Sequence, residues 1–171
     1  ATPADATAIT AIINHVILNT TISFNSVAKS EADVLAMMSE RRALGFEMFV
    51  ADLDGVVGYA SYAQFRAGVG YAHSMEHSLA LAVEGQGRGA GRALMQAIED
   101  HAIMMRYIMR MLGVGLVHGD LSEFNVLVDS YGPVIIDLPQ AVDAAANNNA
   151  GWMLERDVNN MRATFGRAAP E

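Results

Sequence analysis

A glycine-rich stretch constrains the first half of this chain more than any other feature. Four glycines stand at alternate positions in residues 85–91, between an apolar run that ends at Val83 and a helix-forming run that begins at Arg92. Glycine lets the backbone approach a ligand closely and adopt positive φ. The first N–H groups of a helix lack partners and carry partial positive charge. A strand, such a loop and a helix start therefore predict an anion site, most often for phosphate.

The spacing of these glycines argues against two common phosphate-binding motifs. A dinucleotide-binding loop has the pattern G-x-G-x-x-G, whereas Gly87, Gly89 and Gly91 follow one another without the wider gap. A nucleotide P-loop has a lysine directly after its last glycine, and none follows here. A turn between strand and helix that binds no ligand is the simpler alternative.

Composition limits the class of protein and its partners. The chain has 171 residues and is 52% hydrophobic, enough for one domain with a core or two small ones. Its net charge of −8, with Lys29 as the one lysine, argues against a nucleic-acid partner. The lack of cysteine excludes disulfides and thiol catalysis. No run of about 18 apolar residues and no signal peptide is present, so we expect a cytoplasmic protein without a membrane partner.

Capping residues and periodicity predict the order α-α-β-β-β-loop-α up to residue 112. Helices are expected to begin at residues 2–5 and 30–33, and Gly45 ends the second. Strands are predicted over residues 46–52, 56–65 and 75–83, the first two joined by a hairpin at Asp54 and Gly55. The apolar stripes of the two helices are expected to be Ile9, Ile12, Ile13 and Val16 in the first, and Val34, Leu35, Met38 and Leu44 in the second.

The helix after the loop is predicted to be unusually long. Residues 92–112 contain no glycine or proline, and they would span about 30 Å if the helix is continuous. Two interpretations are open, one long core helix or two helices joined end to end. Its apolar stripe is Leu94, Ile98, His101, Met105, Ile108 and Leu112.

Five stretches of the first half share their residues with one family: 1–5, 41–46, 57–62, 75–78 and 86–95. On these stretches, residues 1 to about 102 resemble a phosphinothricin-type N-acetyltransferase of the GNAT superfamily. The resemblance implies an α/β fold of the α+β type, with a mixed sheet flanked by helices. It also implies transfer of acetyl from acetyl-CoA to the primary amine of a small, amino-acid-like molecule of the phosphinothricin or methionine sulfoximine type. A homodimer is left open.

The same resemblance implies roles for individual residues. Backbone N–H groups of Leu81 and Val83 would bind the thioester carbonyl. Glu76 would accept the ammonium proton, through water, with His73 and His77 as alternatives and a surface carboxylate as the simpler role for Glu76. The pyrophosphate of the cofactor would be held by Gln86, Gly87, Arg88, Gly89, Ala90 and Gly91.

Three stretches of the second half fit a different family: 116–127, 135–142 and 154–158. On these, residues from about 103 to 171 resemble the C-terminal lobe of a RIO-type atypical protein kinase. The resemblance implies serine phosphotransfer or ATP hydrolysis with ATP and Mg²⁺. Asp120 would accept the proton of the nucleophile or become phosphorylated, and Asn125 and Asp137 would hold Mg²⁺. Two paired strands are expected over residues 126–129 and 133–138.

Both resemblances are incomplete, and they meet inside the predicted long helix. The later strands of the acetyltransferase family have no counterpart after about residue 102. The glycine-rich loop and strand lysine of a kinase have none either, because Lys29 precedes a helix start. The chain is therefore either a chimera or a misjoined sequence. We expect acetyl transfer because its cofactor loop is complete; a RIO-type kinase or ATPase, and a non-catalytic CoA-binding protein, are the alternatives.

Overall fold

The computed structural model describes residues 1–72, 74–129 and 131–165. These residues form two compact units, the first over Ala1–Ile98 and the second beginning at Glu99. In the described part of the chain, none of the helices combines the length and apolarity that crossing a bilayer requires.

The helices of the first unit begin where the sequence predicts. Ser30 and Asp33 form a capping box, with Ser30 N donating to the Asp33 carboxylate at 2.8 Å and Asp33 N to the Ser30 hydroxyl at 3.2 Å. Thr2 N donates to the Asp5 carboxylate at 2.7 Å in the short 3-10 turn before the first helix. The helices are α1 (Ala6–Asn19) and α2 (Glu31–Ala43).

Three antiparallel strands in the order β1-β2-β3 form the sheet of this unit. The predicted hairpin between β1 and β2 is confirmed, since Asp54 and Gly55 both adopt positive φ, 64° and 134°. The third strand is shorter than predicted because Val83 begins a 3-10 turn instead of extending the strand. The strands are β1 (Met48–Asp52), β2 (Val56–Gln64) and β3 (Met75–Leu81).

Helices pack on both faces of this sheet. Met48 belongs to a core cluster with residues of α1 and α2, and Val50 and Tyr59 pack against that cluster. On the other face, a Cβ added to Gly58 would overlap the Leu81 side chain and stand 3.2 Å from Leu94 Cδ1. Glycine at position 58 therefore allows the start of the third helix to lie directly on the sheet.

Two predicted core residues of the first helices are corrected. Leu44 is 71% exposed, because α2 ends at Ala43 and Gly45 turns the chain away with a φ of 80°. In α1, Ile17 is buried and Val16 is only half-buried, because the buried stripe advances by four residues per turn from Ile13.

The third helix, α3 (Ala90–Gly113), is continuous and begins two residues before the predicted Arg92. Its 24 residues span about 36 Å, and the boundary between the two units falls within it, after Ile98. Most of the predicted stripe is buried, including His101 and Ile108, whereas Met104 takes the fully buried position expected for Met105.

The second unit contains two small antiparallel ribbons and a final helix. The predicted hairpin is present, but its second strand ends at Ile135, because Asp137 adopts a left-handed φ of 63° and a 3-10 turn follows at Leu138–Gln140. The ribbons pair β4 (Leu116–Val117) with β7 (Val142–Asp143), and β5 (Val126–Asp129) with β6 (Gly132–Ile135); the helix is α4 (Ala150–Phe165).

Candidate functional site

The glycine-rich loop between β3 and α3 has an exposed backbone. Residues 86–89 are exposed, whereas Gly85 and Ala90 on either side are buried. Gly87 and Gly89 adopt positive φ of 70° and 84°, and a Cβ at either position would meet nothing within 4 Å. The loop thus depends on glycine for its conformation and has open space beside it.

The backbone nitrogens of this loop are available to bind an anion. The first helical hydrogen bond of α3 runs from Ala93 N to Gly89 O at 3.1 Å. Within the described residues, no group accepts a hydrogen bond from the N–H groups of residues 87–91. Arg88 is exposed on the same loop. The six predicted cofactor residues therefore lie together where the positive end of the helix dipole is unopposed.

The strand that leads into the loop has a free edge. Gly58 of β2 lies opposite Leu81, and Ala82 N donates to Val57 O at 2.8 Å. Successive residues of a strand direct their N–H groups to opposite edges, so the Leu81 N–H points away from β2. No strand in the described part of the chain pairs with that edge. Val83, the other predicted donor, lies just beyond the strand in the 3-10 turn.

Glu76 lies near the start of β3, and its side chain is exposed. It pairs with Ala63, and Ser61 pairs with Ser78. Because side chains alternate along strands, Glu76 shares a sheet face with Tyr59 and Ser61, which is the face that α1 and α2 cover.

An arginine on this face forms a polar group that the sequence did not single out. Arg41 of α2 donates a hydrogen bond to the Ser61 hydroxyl, and Ser61 is only 1% exposed. Burial lowers the pKa of the Arg41 guanidinium, and Tyr59 and Glu76 oppose this effect electrostatically. Burial likewise raises the pKa of Tyr59, with Arg41 opposing. We refer to Arg41, Tyr59, Ser61 and Glu76 as the Arg41 cluster.

Of the two histidines named as alternative bases, His77 does not join this cluster. His77 pairs with Tyr62 and therefore lies on the opposite face of the sheet from Glu76. His73 lies outside the described residues.

In the second unit, a buried carboxylate holds the loop that carries Asp120. Asp157 of α4 is 1% exposed and accepts hydrogen bonds from Gly119 N at 2.8 Å and Leu121 N at 3.0 Å. Arg156 donates to Gly119 O and lies 3.8 Å from the Asp120 carboxylate. The loop is thus fixed by α4, while the Asp120 side chain stays 46% exposed.

The predicted metal ligands lie near this loop. Asn125 Nδ2 donates to Asp120 O at 2.8 Å, and Asn125 O accepts from Ile136 N at 3.0 Å, next to the exposed Asp137. In the described ranges, no group of three or more histidines and carboxylates could hold a metal ion. Further oxygen ligands for Mg²⁺ would have to come from water or nucleotide phosphates.

Two family models match the chain. The acetyltransferase (GNAT) family matches residues 17–116, and the RIO domain matches residues 92–171. The matches overlap over residues 92–116, so they do not meet at the boundary that we predicted after residue 102.

Relatives of known function match one part of the chain each. An L-methionine sulfoximine/L-methionine sulfone acetyltransferase of Salmonella typhimurium is 37% identical over 100 residues, and the L-amino acid N-acyltransferase MnaT of Escherichia coli is 35% identical over 100. Each match covers 58% of this chain and 58% of the relative. The RIO-type serine/threonine-protein kinase Rio1 of Haloferax volcanii is 40% identical over 67 residues, which are 39% of this chain and 23% of the kinase.

Two solved structures with a similar fold are an N-acetyltransferase and a protein with bound acetyl-CoA. A ribosomal-protein-alanine N-acetyltransferase from Brucella melitensis superimposes with a TM-score of 0.58 at 33% identity over 68% of each chain. The yncA protein of Salmonella typhimurium, solved with its cofactor acetyl-CoA, gives 0.59 at 27% identity over 84% of this chain and 95% of that one. The predicted α/β fold with helices flanking a GNAT-like sheet is confirmed. Because the acetyltransferase match covers more than half of the 171 residues, the chain belongs to the acetyltransferase (GNAT) family.

Proposed function

We propose that this protein is an acetyl-CoA-dependent N-acetyltransferase that acts on the primary amine of a small, amino-acid-like molecule. The observation that carries the proposal is the loop at the start of α3, which is exposed over residues 86–89 and in which the N–H groups of residues 87–91 have no acceptor within the described residues. Two relatives are named for activity on methionine sulfoximine, methionine sulfone and L-amino acids, and these names support this class of acceptor.

The residues of the loop fit a pyrophosphate. The N–H groups of residues 87–91 offer hydrogen bonds, the positions of Gly87 and Gly89 leave open space, and Arg88 adds positive charge. Ala90 can contribute only its backbone N–H, because its side chain is fully buried. Acetyl-CoA, when bound, supplies the acetyl group as a thioester.

The free edge of β3 offers donors to a thioester carbonyl. Leu79 and Leu81 both direct their N–H groups to this edge, since they are two residues apart. At about 3.4 Å per residue, Leu81 lies about 17 Å from Glu76 along the strand, whereas Leu79 lies about 10 Å away. Leu79 is therefore better placed than the predicted Leu81 to act beside Glu76, and Leu81 and Val83 continue the edge toward the loop.

Glu76 takes the proton that the acceptor must lose. An amine attacks a thioester only in its neutral form, so a base near the reacting nitrogen speeds the reaction. The carboxylate of Glu76 is exposed and can reach the amine through a water molecule.

A second candidate function rests on the loop that Asp157 holds. In this alternative, the RIO-like residues catalyse phosphotransfer or ATP hydrolysis with Mg²⁺, and Asp120 serves as the base. The lysine that a kinase uses on the nucleotide phosphates has no counterpart in a strand here. Lys29, the one lysine of the sequence, lies before α2, and its backbone N and O are both bonded to the Asn14 side chain at 2.8 Å.

Ligand binding and turnover distinguish these functions. Thermal unfolding is measured with acetyl-CoA and separately with Mg·ATP, and acetyl transfer is assayed with L-methionine sulfone. Stabilisation by acetyl-CoA with turnover supports the acetyltransferase. Stabilisation by Mg·ATP alone overturns it in favour of the RIO-type activity, and stabilisation by acetyl-CoA without turnover on any amine indicates a protein that only binds CoA.

A further inference from the structure

We infer that Arg41 forms a binding subsite for a carboxylate of the acceptor, so that the preferred acceptor carries this group next to its amine. The inference rests on the proposed acetyl transfer and adds to it the residue that binds the carboxylate of the amino-acid-like acceptor.

The first argument is the environment of the Arg41 side chain. Arg41 is half-buried, and its hydrogen-bond partner is the neutral hydroxyl of Ser61. In residues 1–72, 74–129 and 131–165, no carboxylate forms an ion pair with Arg41, whereas the adjacent Arg42 pairs with Glu47 at 3.3 Å. Glu76 acts on this guanidinium only from beyond ion-pair distance, so an anionic ligand in direct contact would offset more of the cost of its partial desolvation.

The second argument is the geometry of the donors. A guanidinium has five N–H donors, and the bond to Ser61 uses one of them. The remaining donors allow the two-point contact that arginine makes with carboxylates. Ser61 is itself buried in β2, so it fixes the position of Arg41 on the sheet.

The third argument is the distance to Glu76. Ser61 pairs with Ser78 and Ala63 pairs with Glu76, so Ser61 and Glu76 are diagonal neighbours on one face, about 7–8 Å apart. A positive and a negative side chain therefore stand close together on the surface that faces α1 and α2. A zwitterion with adjacent ammonium and carboxylate groups complements this pair, with its amine at Glu76 and its carboxylate at Arg41.

A matched pair of acceptors tests the subsite. We expect kcat/KM of the unmodified protein to be about ten- to a hundredfold higher for L-methionine sulfone than for 3-(methylsulfonyl)propylamine, which lacks only the carboxyl group. Arg41→Gln should remove this preference by raising KM for the amino acid, with little change for the amine. Arg41→Lys should retain part of this preference, because lysine keeps the positive charge but lacks the planar set of N–H donors of a guanidinium.

Arg42→Gln is the control, because it removes the neighbouring arginine and should leave the ratio of the two kcat/KM values unchanged. Equal kcat/KM values for the two acceptors in the unmodified protein would overturn the inference without any variant. An equal loss for both acceptors in Arg41→Gln would do the same, since it would indicate a structural role. Failure to acetylate either acceptor would instead overturn the proposed function itself.

Discussion

A Cβ atom at Gly85 would stand 2.8 Å from the carbonyl oxygen of Val57 and 3.0 Å from the Val57 side chain. This contact sets the position at which the chain leaves β3 for the glycine-rich loop. We expect Gly85→Ala to lower the free energy of unfolding by about 1–3 kcal/mol and to weaken acetyl-CoA binding, because the backbone must shift away from β2. Thermal unfolding and titration calorimetry measure the two effects.

Gly91→Ala provides the matched control for that substitution. Its Cβ would lie 3.5 Å from Leu81 Cδ1, an ordinary contact, and alanine favours the helix by about 0.5–1 kcal/mol over glycine. Equal destabilisation by the two alanines would show that the Val57 contact is unimportant.

Gly89→Val should abolish detectable acetyl-CoA binding and leave the fold largely intact. The φ of 84° disfavours a β-branched residue, so the loop must change conformation, yet no neighbouring atom lies within 4 Å of the new Cβ. Calorimetric titration with acetyl-CoA gives the affinity, and circular dichroism monitors the fold. An affinity equal to that of the unmodified protein would exclude the loop as the pyrophosphate site.

Glu76→Gln should lower kcat by about a hundredfold or more at neutral pH without changing the affinity for acetyl-CoA. The glutamine keeps the size of the side chain but cannot take a proton, and the position is about 10 Å from Leu79 and about 17 Å from Leu81 along β3. Glu40→Gln, which removes an exposed carboxylate from α2, is the control. An unaltered pH–rate profile in Glu76→Gln would rule this residue out as the base.

His101 should make the second unit less stable in acid. Burial, with a smaller contribution from the charge of Arg162, lowers the pKa of this fully buried histidine from 6.5 to about 4. The unfolded chain then binds one more proton than the folded one between these pH values. The contribution of neutral His101 to the free energy of unfolding is complete above pH 6.5. It falls by about 1.4 kcal/mol per pH unit as the pH decreases toward 4.

Urea unfolding followed by the fluorescence of Trp152, the one tryptophan, tests this dependence in the second unit. His101→Gln should show a shallower loss of stability between pH 6.5 and 4 than the unmodified protein. Parallel pH dependences for the two proteins would contradict the predicted titration.

Local signals in the sequence were sufficient to predict those structural features that depend on local interactions. The capping box of Ser30 and Asp33, the hairpin at Asp54 and Gly55, and the loop that leads into α3 each depend on residues a few positions apart. Short-range preferences decide such structures before any tertiary contact forms.

The features that were missed depend on contacts between distant parts of the chain. Arg41 and Ser61 are twenty positions apart, and only the packing of α2 on β2 brings them together. Leu44 is the exception, because the reason for its exposure is local: it follows the last helical residue of α2, and helical spacing alone carried the predicted apolar stripe past that end. The edge to which the N–H groups of Leu79 and Leu81 point could be found only from the register of β2 and β3.

The edge of β3 that no described strand pairs with also has a consequence for the protein before any cofactor binds. Such an edge exposes a row of hydrogen-bonding groups that can recruit a strand from another molecule, and this is a common route to aggregation. Glu76 and His77 are exposed on this strand, and a charged or polar side chain there discourages such pairing. A molecule lying along the edge would protect it fully, so the purified protein should stay dispersed at higher concentrations when it is stored with saturating acetyl-CoA.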